Sequence, residues 1–208
     1  MKLILTISAM ILFLITGCES GKQPANDFLT VDITANYPKK ELILQDFLDV
    51  EYIPLETNDE FVTQGKVMAI GAEVILITNW ANDGNLFVFN RKTGKALKKI
   101  NRKGQGGEEY VGITEVVLDE ANKEIFVIAY TGSKISVYDL DGNFKRSFKA
   151  AGTESHVNTF NYDRENLISY VPDNSLENPS NAIPPYYLIF SKQDGSITRE
   201  IFIPFKTI

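Results

Sequence analysis

Cysteine and histidine are almost absent from this sequence, whose 208 residues contain one of each, Cys18 and His156. A single cysteine excludes a disulfide framework. Because Cys18 closes the N-terminal apolar stretch, it is not available for a His–Cys metal cluster. A Ser-His-Asp triad through His156 stays formally open, but nothing around it resembles a nucleophile elbow, and we expect a surface or edge-strand position for this residue.

Long apolar segments are also missing. The only extended apolar run covers residues 3–15, which is too short to cross a hydrocarbon core of about 30 Å as a helix. Lys2 precedes this run, so residues 1–17 have the form of an export signal. We expect a tether over residues 18–30, because residues 19–27 are polar and contain glycine, proline and asparagine. The folded domain is then expected over residues 31–208.

A lipid-attachment motif ends the export signal. Residues Ile15, Thr16 and Gly17 stand directly before Cys18, and they resemble the lipobox of bacterial lipoproteins at every position. The resemblance implies recognition of residues 15–17 by a signal peptidase and a diacylglycerol group on the Cys18 thiol. It places the protein in the cell envelope, anchored by lipid at a periplasmic face or at the cell surface. An ordinary export signal with an incidental cysteine, or an uncleaved anchor, remains an alternative.

Positive charge is in deficit. The chain has 21 Lys and Arg against 27 Asp and Glu, a net charge of -6. Nucleic-acid binding needs a concentrated positive face, so we expect no nucleic-acid partner, although residues 92–103 form one local basic run. We expect no cofactor, and the partners expected are the membrane and a glycan, a peptide or an envelope protein.

Most of the chain after residue 49 has a β pattern. Short runs rich in β-branched and aromatic residues alternate with turn signals such as Asp83-Gly84 and Asp141-Gly142. The predicted strands cover residues 50–55, 74–77, 86–89, 124–128 and 135–138. Many short strands at close spacing predict an all-β sandwich, barrel or propeller.

Internal repetition favours the propeller. Segments that begin at Leu86, Ile135 and Tyr187 share a strand, an aromatic residue, a polar turn with glycine and a basic second strand. Their glycines, 94, 142 and 195, lie 48 and 53 residues apart, near the propeller-blade period of about 40–50 residues. We expect about three blades. Rings need about four to eight, so we also expect an incomplete ring from the N-terminal part of a longer protein.

Two stretches carry a family resemblance. Residues 51–57 read EYIPLET, and residues 104–110 read GQGGEEY after the Thr93-Gly94-Lys95 turn and the INRKG strand at 100–104. The order and spacing resemble the largely uncharacterised six-bladed β-propeller lipoproteins of Gram-negative gut anaerobes. The likeness is good over residues 28–150, although Gly107 stands where that family usually has proline. It implies a fold and a location, and a length about twice that of this chain.

The candidate ligand contacts are acidic or aromatic. A phosphate loop at residues 104–107 is disfavoured because no helical pattern follows, so we predict an inter-blade turn. Glu108 and Glu109 would then lie at one end of the blades, as candidate ligand contacts, metal ligands or half of an acid–base pair. A solvated loop is favoured over these roles, and we expect no metal site. Residues 139–143 lack the terminal glutamate of a calcium loop and predict a hairpin turn. Trp80, Tyr186 and Tyr187 are the candidate aromatic contacts, although strand alternation puts one of the two tyrosines in the core.

Three functions remain open at this point. An anchored binding or scaffolding module agrees with the lipid motif, the repeat and the lack of a concentrated acid–base set. A carboxylate- or metal-dependent hydrolase or lyase is the alternative, because some propellers act on sugars and lactones. An inactive truncated fragment is the third. The sequence shows no convincing catalytic residues, so we favour the binding module.

Overall fold

The computed structural model describes residues 31–129, 134–150, 157–172 and 186–202. The chain divides into two compact units, Met1–Val50 and Glu51–Ile208. The described part of the first unit contains one short 3-10 turn, Leu44–Asp46. Within the described ranges, no helix has the length and apolar character needed to span a membrane.

The second unit contains β-strands in groups of four. The first group is β1 (Lys66–Ile70), β2 (Val74–Thr78), β3 (Asn85–Asn90) and β4 (Ala96–Asn101). The second is β5 (Glu115–Asp119), β6 (Glu124–Ile128), β7 (Lys134–Asp139) and β8 (Phe144–Lys149). The third is β9 (Val157–Asn161), β10 (Asn166–Val171), β11 (Tyr186–Ser191) and β12 (Ile197–Phe202).

Each group forms one antiparallel four-stranded sheet in chain order. β1 lies beside β5, and β5 lies beside β9, so the first strand of each sheet is innermost and the fourth is outermost. Consecutive sheets arranged in this way are the blades of a β-propeller, and we name them blades 1, 2 and 3. The all-β propeller prediction with three blades is confirmed, and the described sheets do not close into a ring.

The glycine repeat seen in the sequence has a geometric cause. Gly94, Gly142 and Gly195 lie between the third and fourth strands of their blades, with φ of 68°, 82° and 75°. This left-handed region favours glycine. A Cβ on Gly142 would also lie 2.9 Å from the Ile100 side chain of the preceding blade. The repeat therefore marks a tight turn, and in blades 2 and 3 this turn touches the preceding blade.

The hydrophobic core lies between the blades. The blade 1–2 seam includes Leu76 and Val88 from blade 1 and Ile125 and Val127 from blade 2. The blade 2–3 seam includes Val117, Phe126, Ile128, Ile135 and Val137 from blade 2 and Leu167, Leu188 and Phe190 from blade 3. On the other face of blade 1, Phe61 and Leu55 cover Phe87 and Phe89.

The face of blade 3 that points away from blade 2 repeats the pattern of a seam. The strand registers align Phe160, Ile168, Tyr170, Tyr187 and Ile189 with the five blade 2 residues of the blade 2–3 seam. All five blade 3 residues are apolar or aromatic. Phe160 is 59% exposed and Tyr187 is 38% exposed, so an interior-type surface is partly open to solvent in the described chain.

Candidate functional site

The connections of the blades gather at two ends. In an antiparallel meander, successive turns alternate between the two ends of the sheet. The β2–β3 connection (residues 79–84) and the β4–β5 connection (residues 102–114) therefore lie at one end, which we name the upper end. The β1–β2, β3–β4, β5–β6 and β11–β12 turns lie at the lower end.

Trp80 projects from the upper end of blade 1. Its side chain is 70% exposed, and the Lys66 ammonium lies 5.1 Å from the ring centroid. The residues on either side of it are fastened to Gln64. The Asn79 side-chain oxygen accepts the Gln64 N–H at 2.8 Å, and the Ala81 N–H donates to the Gln64 side chain at 3.1 Å. The loop thus presents an exposed ring, and hydrogen bonds on both sides of the ring fix the loop backbone.

The same loop contains a carboxylate, Asp83, with a lowered pKa. Asp83 accepts hydrogen bonds from the Asn79 side chain at 2.8 Å and from the Asn85 N–H at 3.0 Å. Partial burial raises the pKa of Asp83, but these hydrogen bonds outweigh it and lower the pKa below its usual value. Asp83 is therefore a charged, preorganised acceptor beneath the Trp80 loop.

The glycine-rich stretch 104–107 is an inter-blade turn, as the sequence predicts. The Glu109 carboxylate accepts the Gly106 N–H at 2.8 Å. From blade 2, the Lys134 ammonium donates to the carbonyls of Gly107 and Glu109, each at 2.9 Å. The Tyr138 hydroxyl donates to the Glu108 carbonyl at 2.7 Å. The Glu109 carboxylate thus holds its own loop, while the Glu108 side chain is exposed at the upper end.

The two candidate tyrosines lie on opposite faces of β11. Tyr186 is buried in the blade 2–3 seam, as strand alternation predicts for one of the two. Tyr187 lies on the other face with its ring centroid 5.6 Å from that of Tyr170. The structure therefore does not bring them together on one ligand surface, and a ligand contact by Trp80, Glu108, Glu109 or Tyr187 stays a prediction.

Several predicted features fall outside the described residues, namely Cys18, residues 15–17 and His156. The Asp139 turn is described, and its carboxylate accepts the N–H groups of Asp141 and Asn143, each at 2.9 Å, which confirms a hairpin. In the part of the chain that the structure describes, no group of three or more His, Cys, Asp or Glu side chains is placed to hold a metal ion.

The lower end of the blade 2–3 seam contains a charged network that the sequence analysis missed. The Lys192 ammonium lies 2.5 Å from the Asp119 carboxylate, and the two side chains are 2% and 1% exposed. The Arg146 guanidinium binds both oxygens of Glu124 at 2.8 Å, and Lys145 also pairs with Glu124. Burial raises the pKa of Glu124, but its cationic partners outweigh this and lower it.

Comparison with known proteins agrees with the blade geometry. A family model described as a 6-bladed beta-propeller matches residues 20–208. The chain belongs to this family. The three described blades of the propeller are half of the number in that description, and the prediction of a six-bladed type is confirmed. Its lipid attachment and bacterial source remain predictions.

One solved structure shares the fold of this chain with a TM-score above 0.5. An exported protein of Bacteroides fragilis NCTC 9343 matches with a TM-score of 0.58 and 22% identity, over 80% of this chain and 46% of its own. The computationally designed Ika4 protein (TM-score 0.42, 15% identity, 74% of this chain and 79% of that chain) and the RRP9 WD40 repeats (0.44, 11%, 67% and 39%) also match. The propeller chain thus spans less than half of the Bacteroides protein. No curated protein matches it significantly.

Proposed function

We propose that this propeller chain is a lipid-anchored envelope protein that binds a glycan, a peptide or a partner protein at its upper end. The observation that carries the proposal is the 70% exposure of Trp80 on a loop fastened on both sides. A large aromatic ring buries much apolar area on contact and loses little conformational entropy, so exposed rings on fixed loops suit ligand binding.

The surroundings of Trp80 suit a flat partner with polar edges. Lys66 lies over the ring, and the Asp83 carboxylate and its asparagine partners lie in the supporting loop. A sugar ring stacks on an indole and offers hydroxyl groups to such neighbours, and a peptide offers amide groups. This combination favours a binding module among the three functions that the sequence leaves open.

The location rests on the motif at residues 15–18. A diacylglycerol on Cys18, followed by further acylation of the new N-terminus, would anchor the chain stably, because one acyl chain alone binds a membrane only marginally. The structural neighbour from Bacteroides fragilis is described as exported, which supports the same compartment for this chain.

Binding at Trp80 is testable by fluorescence. Trp80 is the only tryptophan in the sequence, so its emission reports on this loop alone. We expect ligands from glycan and peptide panels to change this emission. In a label-free assay, Trp80→Ala should weaken binding at least tenfold. Tyr52→Ala is the matched control, because Tyr52 is 85% exposed and belongs to another segment. Equal affinity for Trp80→Ala and the control would contradict the proposal.

Anchoring is tested separately in cells. We expect the wild-type chain to take up labelled palmitate and to sediment with membranes, whereas Cys18→Ser should do neither. Wild-type protein that is exported without label would show that residues 1–17 are an ordinary export signal.

A further inference from the structure

The lower ends of the two seams differ in chemistry at three matched positions. The strand registers align Gly71 and Val74 of blade 1 with Asp119 and Glu124 of blade 2. Leu140, which follows β7, aligns with Lys192, which follows β11. The blade 1–2 seam therefore has glycine, valine and leucine where the blade 2–3 seam has aspartate, glutamate and lysine.

The charged set is not required to join two blades. Lys192, Asp119 and Glu124 are buried, and removing each charge from water is unfavourable unless pairing offsets it. The blade 1–2 seam shows that two neighbouring blades can pack with apolar residues at these positions, since Val74 and Leu140 belong to its core. Burial of charge at one seam alone points to a role other than packing.

The lower end of the blade 2–3 seam also contains a cavity. At the blade 1–2 seam, the Glu120 carboxylate reaches across to accept the N–H groups of Ala72 and Glu73, at 2.6 and 2.9 Å. Asp163, which aligns with Glu120, instead accepts N–H groups of its own turn, from Glu165 and Asn166. A cavity of about 610 Å³ lies at the blade 2–3 seam, and every residue that lines it is polar or charged.

Among the described residues that line the cavity, one cationic side chain is available to an anionic ligand. Arg164 lines it and is exposed, and within the described ranges its guanidinium has no acceptor. Lys145 lines the same cavity and already pairs with Glu124. Gln193 and Glu165 add an amide and a carboxylate that have no partner among the described residues, and such groups hydrogen-bond hydroxyls. Ligand sites typically measure about 300–1,000 Å³.

We propose that this lower cavity binds a hydroxyl-rich carboxylate of the size of a uronic acid. Arg164 pairs with the ligand carboxylate, because guanidinium and carboxylate form two parallel hydrogen bonds. Gln193 and Glu165 bind ligand hydroxyls. The buried pairs below keep the floor of the cavity polar and electrically balanced. This site is separate from the upper end and does not depend on the function proposed there.

The test is calorimetric titration with four probes: D-galacturonate, D-glucuronate, D-glucose and D-glucose 6-phosphate. We expect at least one uronate to bind at least tenfold more tightly than glucose. Arg164→Ala should remove this preference, and Arg164→Lys should keep part of it. Arg199→Ala is the matched control, because it removes the same charge from an exposed residue of β12 outside the cavity. Thermal melts of all variants should match wild type, since both arginines are exposed.

Three results would overturn the proposal. The first is a uronate affinity no greater than that for glucose. The second is an equal affinity of Arg164→Ala and Arg199→Ala for the uronates. The third is tighter binding of glucose 6-phosphate than of either uronate, which would show that the cavity prefers a phosphate ester to a carboxylate. Loss of binding at Trp80 would leave this site unaffected, so failure of one proposal is distinguishable from failure of the other.

Discussion

Replacing Lys192 by methionine should destabilise the protein by about 3–5 kcal/mol, the usual effect of removing one member of a buried ion pair. The Lys192 ammonium donates to the Asp119 carboxylate and to the Asp163 carbonyl, each at 2.5 Å. Methionine keeps most of the apolar stem but leaves the Asp119 carboxylate, 1% exposed, without its cation. Of the described residues, Asn122 then remains to bond it, with an N–H at 3.1 Å and a side-chain amide at 2.8 Å.

Removing both charges should restore most of this loss. In Lys192→Met/Asp119→Asn, the amide oxygen of the new side chain still accepts the Asn122 N–H, and no charge is left unpaired. Removing both members of a buried ion pair avoids the unpaired charge that makes the single variant costly, so we expect the double variant within about 1–2 kcal/mol of wild type.

The assay is urea unfolding followed by circular dichroism, with equal m-values required for comparison. Lys98→Met is the control, because Lys98 pairs with Asp141 at 3.8 Å at the surface and should change stability by less than about 0.5 kcal/mol. The reasoning is refuted if Lys192→Met loses less than about 1 kcal/mol, or if the double variant is as unstable as the single one.

Further predictions concern turns, the upper loop and pH. Gly195→Ala should destabilise by about 1–3 kcal/mol in urea unfolding, because φ is 75° and the new methyl would meet the Lys149 carbonyl. Gly107→Ala has open space around the new methyl and should be neutral in the same assay. Lys134→Met removes the ammonium that holds three carbonyls of residues 106–109, so limited proteolysis should cut there faster than in wild type, and unchanged cleavage would contradict the clamp. The lowered pKa of Glu124 gives stability that is complete above its ordinary 4.5 and is lost as pH falls through the folded value. Glu124→Gln should flatten the acid limb of a stability–pH curve, and an unchanged slope would exclude this contribution.

The blades were predictable because their signals are local. The left-handed turns need glycine at 94, 142 and 195, and this requirement leaves a readable spacing along the chain. Alternation within β11 likewise predicts that only one of Tyr186 and Tyr187 is buried. Such features depend on a residue and its near neighbours, so one sequence is sufficient to find them.

The charged cavity was not predictable in the same way. Asp119 and Lys192 are 73 residues apart, and only the stacking of blade 3 on blade 2 brings them together. A signal was nevertheless present in the repeats, since Glu124 stands where blade 1 has Val74. Aligning blades by strand register, rather than by turn glycines alone, would have found that exchange.

The open face of blade 3 has a practical consequence for work with the isolated chain. Phe160, Ile168, Tyr170, Tyr187 and Ile189 repeat an interior pattern. In the part of the chain that the structure describes, Phe160 and Tyr187 are the exposed members of this set, and exposed apolar side chains bind apolar dyes and detergents. Signals from such reagents will include binding to this face, also in aggregation screens. A polar substitution at Phe160, 59% exposed, gives a background control. It separates nonspecific apolar binding at this face from specific ligand binding elsewhere on the molecule.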